Sequence, residues 1–490
     1  MKNKIKASAG ILAKQQKGID MYNNIYKFIK AECGSGKTYQ LQDLVNSTED
    51  KYLIVQGKID LLNQTFSGIN NGHLITSQTH TSNVDSSINE FLLKGMGRVL
   101  GITAKSFFKI DPILLVGWRV YLDDVVNFHA FKTINEKNRK IKAILQDDIF
   151  TDFDELSDKY CLTSKKDATG DIVTMISKGF EMVDTHDHFA LNTEYFKKNT
   201  TVVDNVTIST YDDDIQQLTM LAWIDIEKYK DCDLTFMANK FDESLLYKSK
   251  PDMFVESTFD GLRKRSVPVT QRLKVKYFSK SKVLSKSFRM AHREHFERVI
   301  QYINDELKGQ DYYYTRNNSE SFTMGGQYVP VDTRGMNGLQ GYSTCVWMAS
   351  CRPSPVEVSM TELFFNISGN DLVRSREYES LEQFAQRGCL RDFESTEVMT
   401  VYVFDEQQAL SLGGELEYID LGIDDIAVRV NGRPAGVIPR ELQKAFSKWQ
   451  GRNVNSTELI ASYKKWKAKQ QGKNPDVDFS TLDARVLKNK

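Results

Sequence analysis

The sequence has no excess of charge of either sign, because 65 Lys and Arg residues are balanced by 65 Asp and Glu residues. A globally basic chain is the simplest sequence indication of nucleic-acid binding, and that indication is absent here. A local basic groove remains compatible with the balance, because a charge is felt over only about 10 Å at ordinary salt. Composition therefore excludes a uniformly basic protein, but it does not exclude a confined phosphate-binding surface.

Paired cysteines and long apolar runs are also missing. The six cysteines form no Cys-x-x-Cys pair; they are Cys33, Cys161, Cys232, Cys345, Cys351 and Cys389. This usage predicts reduced thiols in the cytosol, with neither a disulfide framework nor a zinc site. The N-terminus has no apolar signal-like segment, and no run reaches the ~18 apolar residues of a membrane helix. We therefore expect a cytoplasmic protein that is neither secreted nor inserted in a membrane.

Apolar residues are sufficient for sizeable cores. Hydrophobic residues make up 40% of the 490 residues, and aromatic residues make up 11%. A chain of this length exceeds the size at which a single core stops growing, so two or three domains are expected.

A glycine-rich loop stands between two regular segments. The loop is Ala31–Thr38, with the sequence Ala-Glu-Cys-Gly-Ser-Gly-Lys-Thr; a candidate strand, Tyr26–Lys30, precedes it and a candidate helix, Tyr39–Val45, follows it. This order is the context that a phosphate-binding loop requires. Gly34 and Gly36 permit backbone angles and close approaches that a Cβ would prevent. The loop N–H groups and the helix N-terminus can then face a polyphosphate, which an ordinary turn before a helix need not do.

Side chains of the same loop indicate the ligand. Lys37 can reach the terminal phosphates as a point charge, and Thr38 can offer its hydroxyl to Mg²⁺. Ser35 completes the backbone that would surround the phosphates. A polyphosphate with Mg²⁺ is therefore the expected ligand.

Short apolar strands alternate with helix-like segments after this loop. The candidate strands are Tyr52–Val55, His73–Thr76 and Arg98–Thr103. Repeated alternation of strand and helix predicts an α/β fold with a parallel sheet that is covered on both faces.

Two adjacent carboxylates, Asp123 and Asp124, end an apolar strand that begins at Trp118. Carboxylates at the C-terminal edge of a parallel sheet face its ligand crevice. Asp123 would hold Mg²⁺, directly or through water, and Asp124 would orient and deprotonate an attacking water. An Asp-Asp turn after a strand is common, so the pair gains its meaning from the glycine-rich loop.

The middle of the chain separates two strand–helix series. Residues 127–220 are long for one sheet crossover and are expected to form a less regular inserted subdomain with an exposed helix over 135–142. A strand ending at Asn239 precedes a predicted interdomain linker at 248–270. The predicted domains are 1–255 with this insertion, 256–410, and a C-terminal accessory region, 411–490.

The second series begins with a strand of period two, Arg272–Phe278, followed by a strand-like segment over 282–288 and a helix through Leu307. A glycine-rich loop follows at Thr333–Leu339.

One segment of the second half carries regularly spaced polar residues. Gln383, Arg387 and Arg391 stand at i, i+4 and i+8, so a helix would present all three on one face. A strand over 397–404 closes the series.

Residues 411–490 break the alternation. Basic residues are interleaved here with aromatic ones; they are Lys448, Arg452, Lys464, Lys465, Lys467 and Lys469, with Trp449, Tyr463 and Trp466. Such a helix can follow phosphates while its aromatic rings stack on bases. The pattern also fits an amphipathic helix whose aromatic residues pack inward, and we favour that interpretation.

Taken in order, these segments resemble the motifs of superfamily 2 DNA/RNA helicases over residues 25–405. The matches are Ala31–Thr38 to motif I, Asp123-Asp124 to motif II, Ala238-Asn239 to motif III, Thr333–Asn337 to motif V and Gln383–Arg391 to motif VI. Motif II has Asp where the family usually has Glu, and the second arginine of motif VI is displaced by one position. The Asn-, Lys- and Tyr-rich composition looks like that of a phage-encoded helicase.

The resemblance implies two tandem RecA-like lobes with ATP in the cleft between them. The first lobe would supply Gly34, Ser35, Gly36, Lys37, Thr38, Asp123 and Asp124. The second lobe would supply Arg387 and Arg391, of which the family pattern favours Arg387 as the arginine finger, with Gly335, Asn337 and Gln383 as nucleotide contacts. The residues expected to contact strand phosphates without reading bases are Lys58, Thr103 and Thr333.

The implied function is ATP-driven movement along nucleic acid in replication or recombination. Single-stranded DNA or a duplex junction is the first expected partner, RNA is the second, and replication or recombination proteins could join them. A packaging motor of the terminase type shares the loop and the acid pair, but it should add a nuclease domain, for which residues 411–490 look too short. A clamp that binds ATP without hydrolysis is the other alternative, and the combination of Lys37, Asp123 and Arg387 argues against it.

Overall fold

The computed structural model describes residues 26–81, 83–155, 159–165, 180–203, 206–212, 215–426, 440–453, 459–473 and 479. Residues 1–25 of the predicted first domain lie outside this description. The chain divides between Ile423 and Asp424 into a large compact unit and a small one. The large unit contains two α/β lobes and an insertion, and the small unit is helical.

The strands of the described residues are β1 Tyr26–Lys30, β2 Tyr52–Gln56, β3 Gly72–Leu74, β4 Val99–Thr103, β5 Arg119–Asp123, β6 His129–Asn135, β7 Phe150–Glu155, β8 Tyr160–Lys165, β9 His188–Asn192, β10 Lys198–Val203, β11 Val206–Tyr211, β12 Gln217–Trp223, β13 Asp233–Ala238, β14 Phe254–Ser257, β15 Leu273–Tyr277, β16 Tyr313–Arg316, β17 Gln327–Tyr328, β18 Thr344–Met348, β19 Met399–Val403 and β20 Glu415–Tyr418. The α-helices are α1 Lys37–Ser47, α2 Ile59–Phe66, α3 Val84–Lys94, α4 Ala104–Phe107, α5 Arg139–Ala143, α6 Glu181–Thr185, α7 Leu245–Ser249, α8 Lys286–Ala291, α9 Arg293–Glu306, α10 Pro355–Phe365, α11 Gly369–Val373, α12 Glu379–Ala385, α13 Glu406–Leu412, α14 Arg440–Asn453 and α15 Leu459–Gln471.

The first lobe is built on a parallel sheet with the strand order β14-β1-β13-β5-β2-β4-β3. Its central strands are short apolar runs because both faces of the sheet are covered, and every residue of β2 is buried. The C-terminal ends of parallel strands share one edge of the sheet. The loops that follow β1, β13 and β5 therefore leave this edge side by side.

The inserted subdomain is more regular than the sequence indicated. It forms an antiparallel sheet in the order β6-β12-β9-β8-β7 and a separate hairpin, β10-β11. It also has its own apolar core. The helix expected over 135–142 is wrong in its first half, because β6 continues to Asn135 and α5 begins only at Arg139.

Helix α5 is solvated only in part, because Arg139 and Lys140 are exposed, as its charges indicated, whereas Lys142 is buried. Lys142 is 1% exposed. Its Nζ donates to the carbonyl oxygens of Asp212 and Ile215, at 3.1 and 2.6 Å. A buried ammonium is tolerated when its donors find acceptors. These acceptors come from far along the chain, where sequence periodicity gives no information.

The insertion also contacts the second lobe. Trp223, at the end of β12, packs against α10, with its ring centre 5.1 Å from that of Phe365. The ring of His129 lies 4.7 Å from the same phenylalanine. The two halves of the large unit therefore share an aromatic contact that is separate from the edge of the first sheet.

The second lobe is built on another parallel sheet, in the order β17-β16-β18-β19-β15-β20. Its last strand, β20, extends this sheet beyond residue 410. The strand-like segment expected over 282–288 is wrong, because Ser285 accepts a hydrogen bond from the backbone N–H of Phe288 at 3.0 Å and so begins helix α8.

The connection between the lobes begins later than expected. Strand β14 pairs with β1 in the first sheet, although it lies within the linker predicted at 248–270. The segment that passes between the lobes therefore starts after Ser257.

In the small unit, the aromatic residues pack inward, as the favoured interpretation predicted. Helices α14 and α15 enclose a cluster of Phe446, Trp449, Tyr463 and Phe479, against which Trp466 packs. The ring centres of Trp449 and Tyr463 are 5.2 Å apart.

The predicted fold class is confirmed: the chain is α/β, with two parallel-sheet, RecA-like lobes, an insertion in the first lobe and C-terminal helices. Among the residues described, no helix combines the length and the apolarity that crossing a bilayer requires.

A buried guanidinium ties the second sheet to the segment that follows α12. Arg272, next to β15, is 0% exposed. Its Nε, Nη1 and Nη2 donate to the carbonyl oxygens of Glu397, Asp392 and Cys389, at 3.0, 2.8 and 3.0 Å. One side chain thus pairs three carbonyl groups between residues 389 and 397.

Replacing this guanidinium should destabilise the chain. Arg272→Met should lower the free energy of unfolding by roughly 3 kcal/mol, because three carbonyl groups lose their donor at about 1 kcal/mol or more each. Thermal unfolding measures the effect. Arg293→Met is the control, because that side chain is 81% exposed and its loss should cost less than about 0.5 kcal/mol. Equal midpoints for the two variants would contradict the role given to Arg272.

Candidate nucleotide-binding site

The glycine-rich loop connects β1 to α1, as predicted. Gly34 and Gly36 have φ angles of 87° and 93°, in the left-handed region that favours glycine. A Cβ on Gly34 would also lie 3.1 Å from the ring of Phe393. Within the part of the chain that the structure describes, α1 has no side-chain cap and no acidic residue in its first turn. Its first N–H groups are therefore suited to an anion.

Two side chains of the loop face in different directions. The Nζ of Lys37 donates to the carbonyl oxygens of Ala31 and Glu32, at 2.6 and 3.4 Å, which holds the ammonium over the loop. Ser35 is buried, and its Oγ donates to the Glu32 carbonyl oxygen at 2.8 Å. The structure therefore places Ser35 as a support inside the loop rather than on the wall of the cleft.

Asp123 ends β5 and is 4% exposed. Its Oδ2 accepts from the Nε2 of Gln56 at 2.7 Å, and the Oε1 of Gln56 accepts from Thr65 at 3.1 Å, so this short chain of hydrogen bonds orients the carboxylate. Burial raises the pKa of Asp123 and Asp124 raises it further, whereas Lys37 lowers it. A cation at this carboxylate would offset the cost of its burial.

The oxygen donors at this point fit Mg²⁺. The hydroxyl of Thr38 lies close enough to the carboxylate of Asp123 to lower its pKa, and both side chains line the cleft, so the two groups can contact one ion. Carboxylate and hydroxyl oxygens are ligands that Mg²⁺ accepts alongside phosphate oxygens.

Asp124 is held by both lobes. Its φ is 54°, a left-handed conformation that Asp adopts more readily than most residues. Its backbone N–H donates to Met237 of the neighbouring strand β13 at 2.8 Å. Its carbonyl oxygen accepts from the Nη1 of Arg334, in the second lobe, at 3.3 Å.

A cleft of about 270 Å³ lies between the lobes. It brings together most of the predicted nucleotide and catalytic residues, namely Gly34, Gly36, Lys37, Thr38, Asp123, Asp124, Gly335, Asn337, Arg387 and Arg391. The two halves of the predicted site are separated by more than two hundred residues of sequence. They nevertheless line the same cleft.

The predicted single helical face is wrong, although both arginines reach the cleft. Helix α12 ends at Ala385. The chain then turns so that the N–H of Cys389 donates to the carbonyl oxygen of Tyr342 at 2.9 Å. Because the helix has ended, Arg387 and Arg391 line the cleft from the turn, whereas Gln383 lines a neighbouring cavity.

Sequence reasoning missed two arginines of the linker. Arg263 lines the cleft, and its Nη2 donates to the carbonyl oxygen of Gly34 at 2.7 Å. Arg265 donates to the carboxylate of Glu32 at 2.5 Å and stacks over Phe393, 3.9 Å from the ring centre. Two side chains of the linker thus bind the glycine-rich loop directly. The basic run Arg263-Lys264-Arg265 was the available sequence indication.

Contacts from α2 reach the glycine-rich loop of the second lobe. Gln64 donates to the carbonyl oxygen of Gly335 at 3.2 Å and accepts from Asn337 at 3.0 Å. Lys58, which precedes α2, forms an ion pair with Asp332 at 3.1 Å. The structure therefore places Lys58 in a contact between the lobes.

The carboxyl group of Asp332 is charged, as its ion pair with Lys58 requires. Although burial opposes ionisation, hydrogen bonds and charge from Arg334, with a smaller effect of Lys58, lower the pKa of Asp332 to about 2. The carboxylate is therefore ionised wherever the protein is folded at ordinary pH.

A second cavity, of about 310 Å³, shares Asp124 with the cleft and is also lined by Arg334. Thr333 lines it, is 1% exposed, and has no hydrogen-bond partner for its Oγ1 among the described residues. Gln383 also lines it and donates to Glu379 at 2.8 Å. Thr103 stands apart from both cavities, at the end of β4, and donates to Ser106 at 3.5 Å.

The motif III position contacts the segment before the arginines. Asn239, which follows β13, donates to the carboxylate of Glu382 on α12 at 3.2 Å. Lys240 forms an ion pair with the same carboxylate. Gln386 donates to it at 3.0 Å. The end of the first sheet is thus linked to the turn that carries Arg387.

Glu379 is an acidic group of the second cavity that the motifs do not explain. Burial raises its pKa to about 7; a hydrogen bond from Gln383 opposes the shift, Glu382 and Asp124 add to it, and Lys240 opposes it. The folded protein therefore holds a proton here that the unfolded chain releases near pH 4.5. The stability that this proton provides is complete below pH 4.5 and is lost as the pH rises through about 7.

Glu379→Gln should therefore stabilise the protein only above neutral pH. Gln keeps the acceptor for Gln383 and carries no charge. The expected gain at pH 8.5 is roughly 2 kcal/mol, less than the full shift implies at 1.36 kcal/mol per unit, because the side chain keeps some contact with solvent. Thermal midpoints at pH 5 and pH 8.5 test this, with the exposed Glu394→Gln as control. A gain at pH 5 equal to that at pH 8.5 would refute the electrostatic cause.

The chain is similar in structure to solved helicases at low sequence identity. An XPD helicase is 10% identical over 85% of this chain and 98% of that chain, with a TM-score of 0.42. S. tokodaii Xpd4 is 10% identical over 84% and 100%, with a TM-score of 0.45. S. cerevisiae Dbp5 bound to RNA and ADP BeF3 is 9% identical over 82% and 87%, with a TM-score of 0.33.

No protein-family model matches the sequence, and no curated protein matches it. A likeness at these identities and TM-scores assigns no activity. The functional argument therefore stands on the residues of the cleft.

Proposed function

We propose that this protein is an ATP-driven motor on nucleic acid. It would be a helicase or translocase that acts on DNA in preference to RNA. The observation that carries the proposal is the cleft between the lobes, where Lys37 and Asp123-Asp124 face Arg387 and Arg391. A phosphate-binding lysine, an acid pair and arginines from a second lobe are the parts that hydrolysis of a nucleoside triphosphate requires.

The roles follow from the chemistry of each group. Lys37 would exchange its loop carbonyl partners for the terminal phosphates, and Asp124 would orient the attacking water and accept its proton. Mg²⁺, held by Thr38 and Asp123, would add positive charge at the phosphate oxygens. Phosphoryl transfer needs this positioning and charge neutralisation more than it needs covalent chemistry.

Arg387 is the stronger candidate for the arginine finger. It is 6% exposed, its Nη1 donates to Met336 at 3.3 Å, and its Nε has no partner among the described residues. Burial, with Arg387 as a close positive neighbour, lowers the pKa of Arg391. A triphosphate between the two guanidinium groups would relieve their repulsion, which supports a shared anionic ligand.

Hydrolysis would be coupled to movement through the contacts between lobes. Asn239 and Lys240 link the first sheet to Glu382, close to the arginine turn. Closure of the cleft on ATP and its release after hydrolysis would shift the second lobe against the first. Alternation between these states is what turns hydrolysis into steps along a strand.

The residues predicted to contact the nucleic-acid strand differ in whether their polar groups are already paired. Thr333 offers an unpartnered hydroxyl to the second cavity, which suits a phosphate oxygen. Lys58 would have to leave Asp332 before it could bind a phosphate, so its contact would depend on the position of the lobes. Thr103 remains a predicted contact at the edge of the first sheet.

The finer parts of the proposal rest on the sequence alone, through its composition and the family resemblance. They are a role in replication or recombination, with proteins of those processes as partners, a phage source and a cytoplasmic location.

The first experiment is ATP hydrolysis with and without single-stranded DNA or RNA, at low and at moderate salt. We expect stimulation by DNA that fades as salt rises, because phosphate contacts release counterions. Turnover that no nucleic acid changes would favour a packaging-type motor or one that needs a partner protein. Binding of ATP without any turnover would favour the clamp.

Two substitutions test the catalytic assignment. Lys37→Ala should abolish ATP turnover without unfolding the chain. Arg387→Ala should lower kcat by about 10³, in line with the contribution of arginine fingers, while ATP still binds. Arg374→Ala is the matched control, because that arginine of the second lobe is exposed outside the cleft. Wild-type turnover in Lys37→Ala would rule out the assigned site.

Arg263→Ala should act on binding instead. Its guanidinium is exposed at the mouth of the cleft and braces the glycine-rich loop, so its loss should raise KM for ATP about tenfold and change kcat less than threefold. Steady-state kinetics separate this outcome from that of Arg387→Ala. The neighbouring exposed Lys264→Ala should leave both constants unchanged. A fall in kcat with KM unchanged would instead make Arg263 a catalytic arginine.

A further inference from the structure

The small unit concentrates positive charge that the neutral chain as a whole conceals. Between residues 440 and 473 the sequence has nine Lys and Arg residues and two acidic ones, Glu441 and Glu458. Since the whole chain has 65 of each sign, the remainder is acidic by the same margin of seven charges. Charge of this density acts locally, because screening limits its reach to about 10 Å.

Exposed lysines form one face of α15. Lys464, Lys465 and Lys469 are exposed, together with Ala461 and Ala468. Counted from Ala461, the three lysines stand at i+3, i+4 and i+8, which places them on the same side of the helix. Tyr463 is buried on the other side and Trp466 packs there against the cluster. We call the side that carries these three lysines the lysine face.

The lysine face is unfavourable for the isolated unit. Lys465 and Lys469 stand at i and i+4, where like charges destabilise a helix by about 0.2–0.5 kcal/mol. The helix and the residues after it to 473 contain no acidic side chain that could offset this. A polyanion that binds the face would supply counter-charge to these lysines.

The inward packing of the aromatic residues excludes two ways in which the small unit could bind a ligand. Phe446, Trp449, Tyr463 and Phe479 form the core of the unit, so their rings are not available to stack on bases. The apolar sides of α14 and α15 pack against each other in this core, so they are not available to enter a lipid surface. The polar groups that the lysine face exposes are amines, which contact phosphates without reading sequence.

We propose that the small unit is a phosphate-backbone-binding module, which uses the lysine face to hold nucleic acid without base recognition. It would keep the strand bound while the lobes change their spacing. The inference uses the proposed motor function only to choose nucleic acid among polyanions; binding by the lysine face does not require ATP hydrolysis.

The test uses the full-length protein and the substitutions K464Q, K465Q and K469Q together. Gln has a helix propensity close to that of Lys, so the fold should persist, which thermal unfolding checks. Binding to single-stranded DNA without nucleotide should weaken about tenfold at low salt. The slope of log affinity against log salt should fall by about 2, since each phosphate contact on a single strand contributes about 0.7.

Two further variants control for fold and for total charge. K464R, K465R and K469R together should retain the wild-type slope, because the charge is conserved. K230Q, K286Q and K308Q together remove three exposed lysines of the large unit and should leave the slope unchanged. A wild-type slope in the lysine-face Gln variant, or an equal loss in the large-unit variant, would overturn the proposal.

Parallel measurements separate this inference from the motor and from a lipid partner. ATP hydrolysis without nucleic acid should be the same in all variants. If no variant hydrolyses ATP but the contrast in DNA binding persists, the proposed motor function fails and the module stands. Binding of the wild type and the Gln variant to vesicles of mixed anionic and neutral phospholipid is measured as well. If the wild type binds these vesicles as tightly as it binds DNA, and the Gln variant does not, nucleic acid is overturned as the partner.

Discussion

The structure depends on the parallel alignment of three adjacent strands, β1, β13 and β5. Ala238 of β13 pairs with Lys30, and Met237 pairs with Asp123, so the ends of the strands coincide. The glycine-rich loop, Asn239 and the Asp123-Asp124 pair therefore leave one edge together. A shift of one residue in any of these pairings would turn the alternating side chains to the opposite face and move a carboxylate away from the loop. Every contact of the second lobe with the cleft presupposes this alignment.

Most contacts around the cleft are polar, and this suits a cleft that opens and closes. Lys58 pairs with Asp332, Gln64 with Gly335 and Asn337, and Glu382 with Asn239 and Lys240. Such contacts exchange with water or phosphate at little net cost, because a partly exposed ion pair contributes only about 0–1 kcal/mol. The aromatic contact between the insertion and α10 is different, because separating it would expose apolar surface to water. The two halves are thus more firmly joined at the insertion than at the cleft.

The parts of the site that could be predicted from the sequence are those set by local chemistry. Loop glycines at positive φ, and acids directly after a buried strand, are recognisable because neighbouring residues determine their conformation. The end of α12 at Ala385 was not recognisable, because a hydrogen bond from Cys389 to distant Tyr342 turns the chain there. Arg263 escaped prediction for a related reason, since a linker has no periodicity that would show which side chains return to the loop. The regular sheet of the insertion was missed in part because β6 pairs with β12, about eighty residues further along the chain.

Zero net charge is compatible with the two proposed anion-binding regions because charge acts over short distances. In the large unit, Asp124 and Glu379 lie close to Arg334, and the Asp123-Asp124 pair shares the cleft with Arg387, so acidic and basic groups are balanced within a few side chains. The proposed catalysis would need both signs there, since the acids would serve water and metal while the guanidinium groups would serve phosphate. In the small unit no such balance is needed, and basic residues outnumber acidic ones. The acidic excess of the large unit then disfavours phosphate binding away from its cleft, which confines electrostatic attraction to the surfaces where lysine or arginine is concentrated.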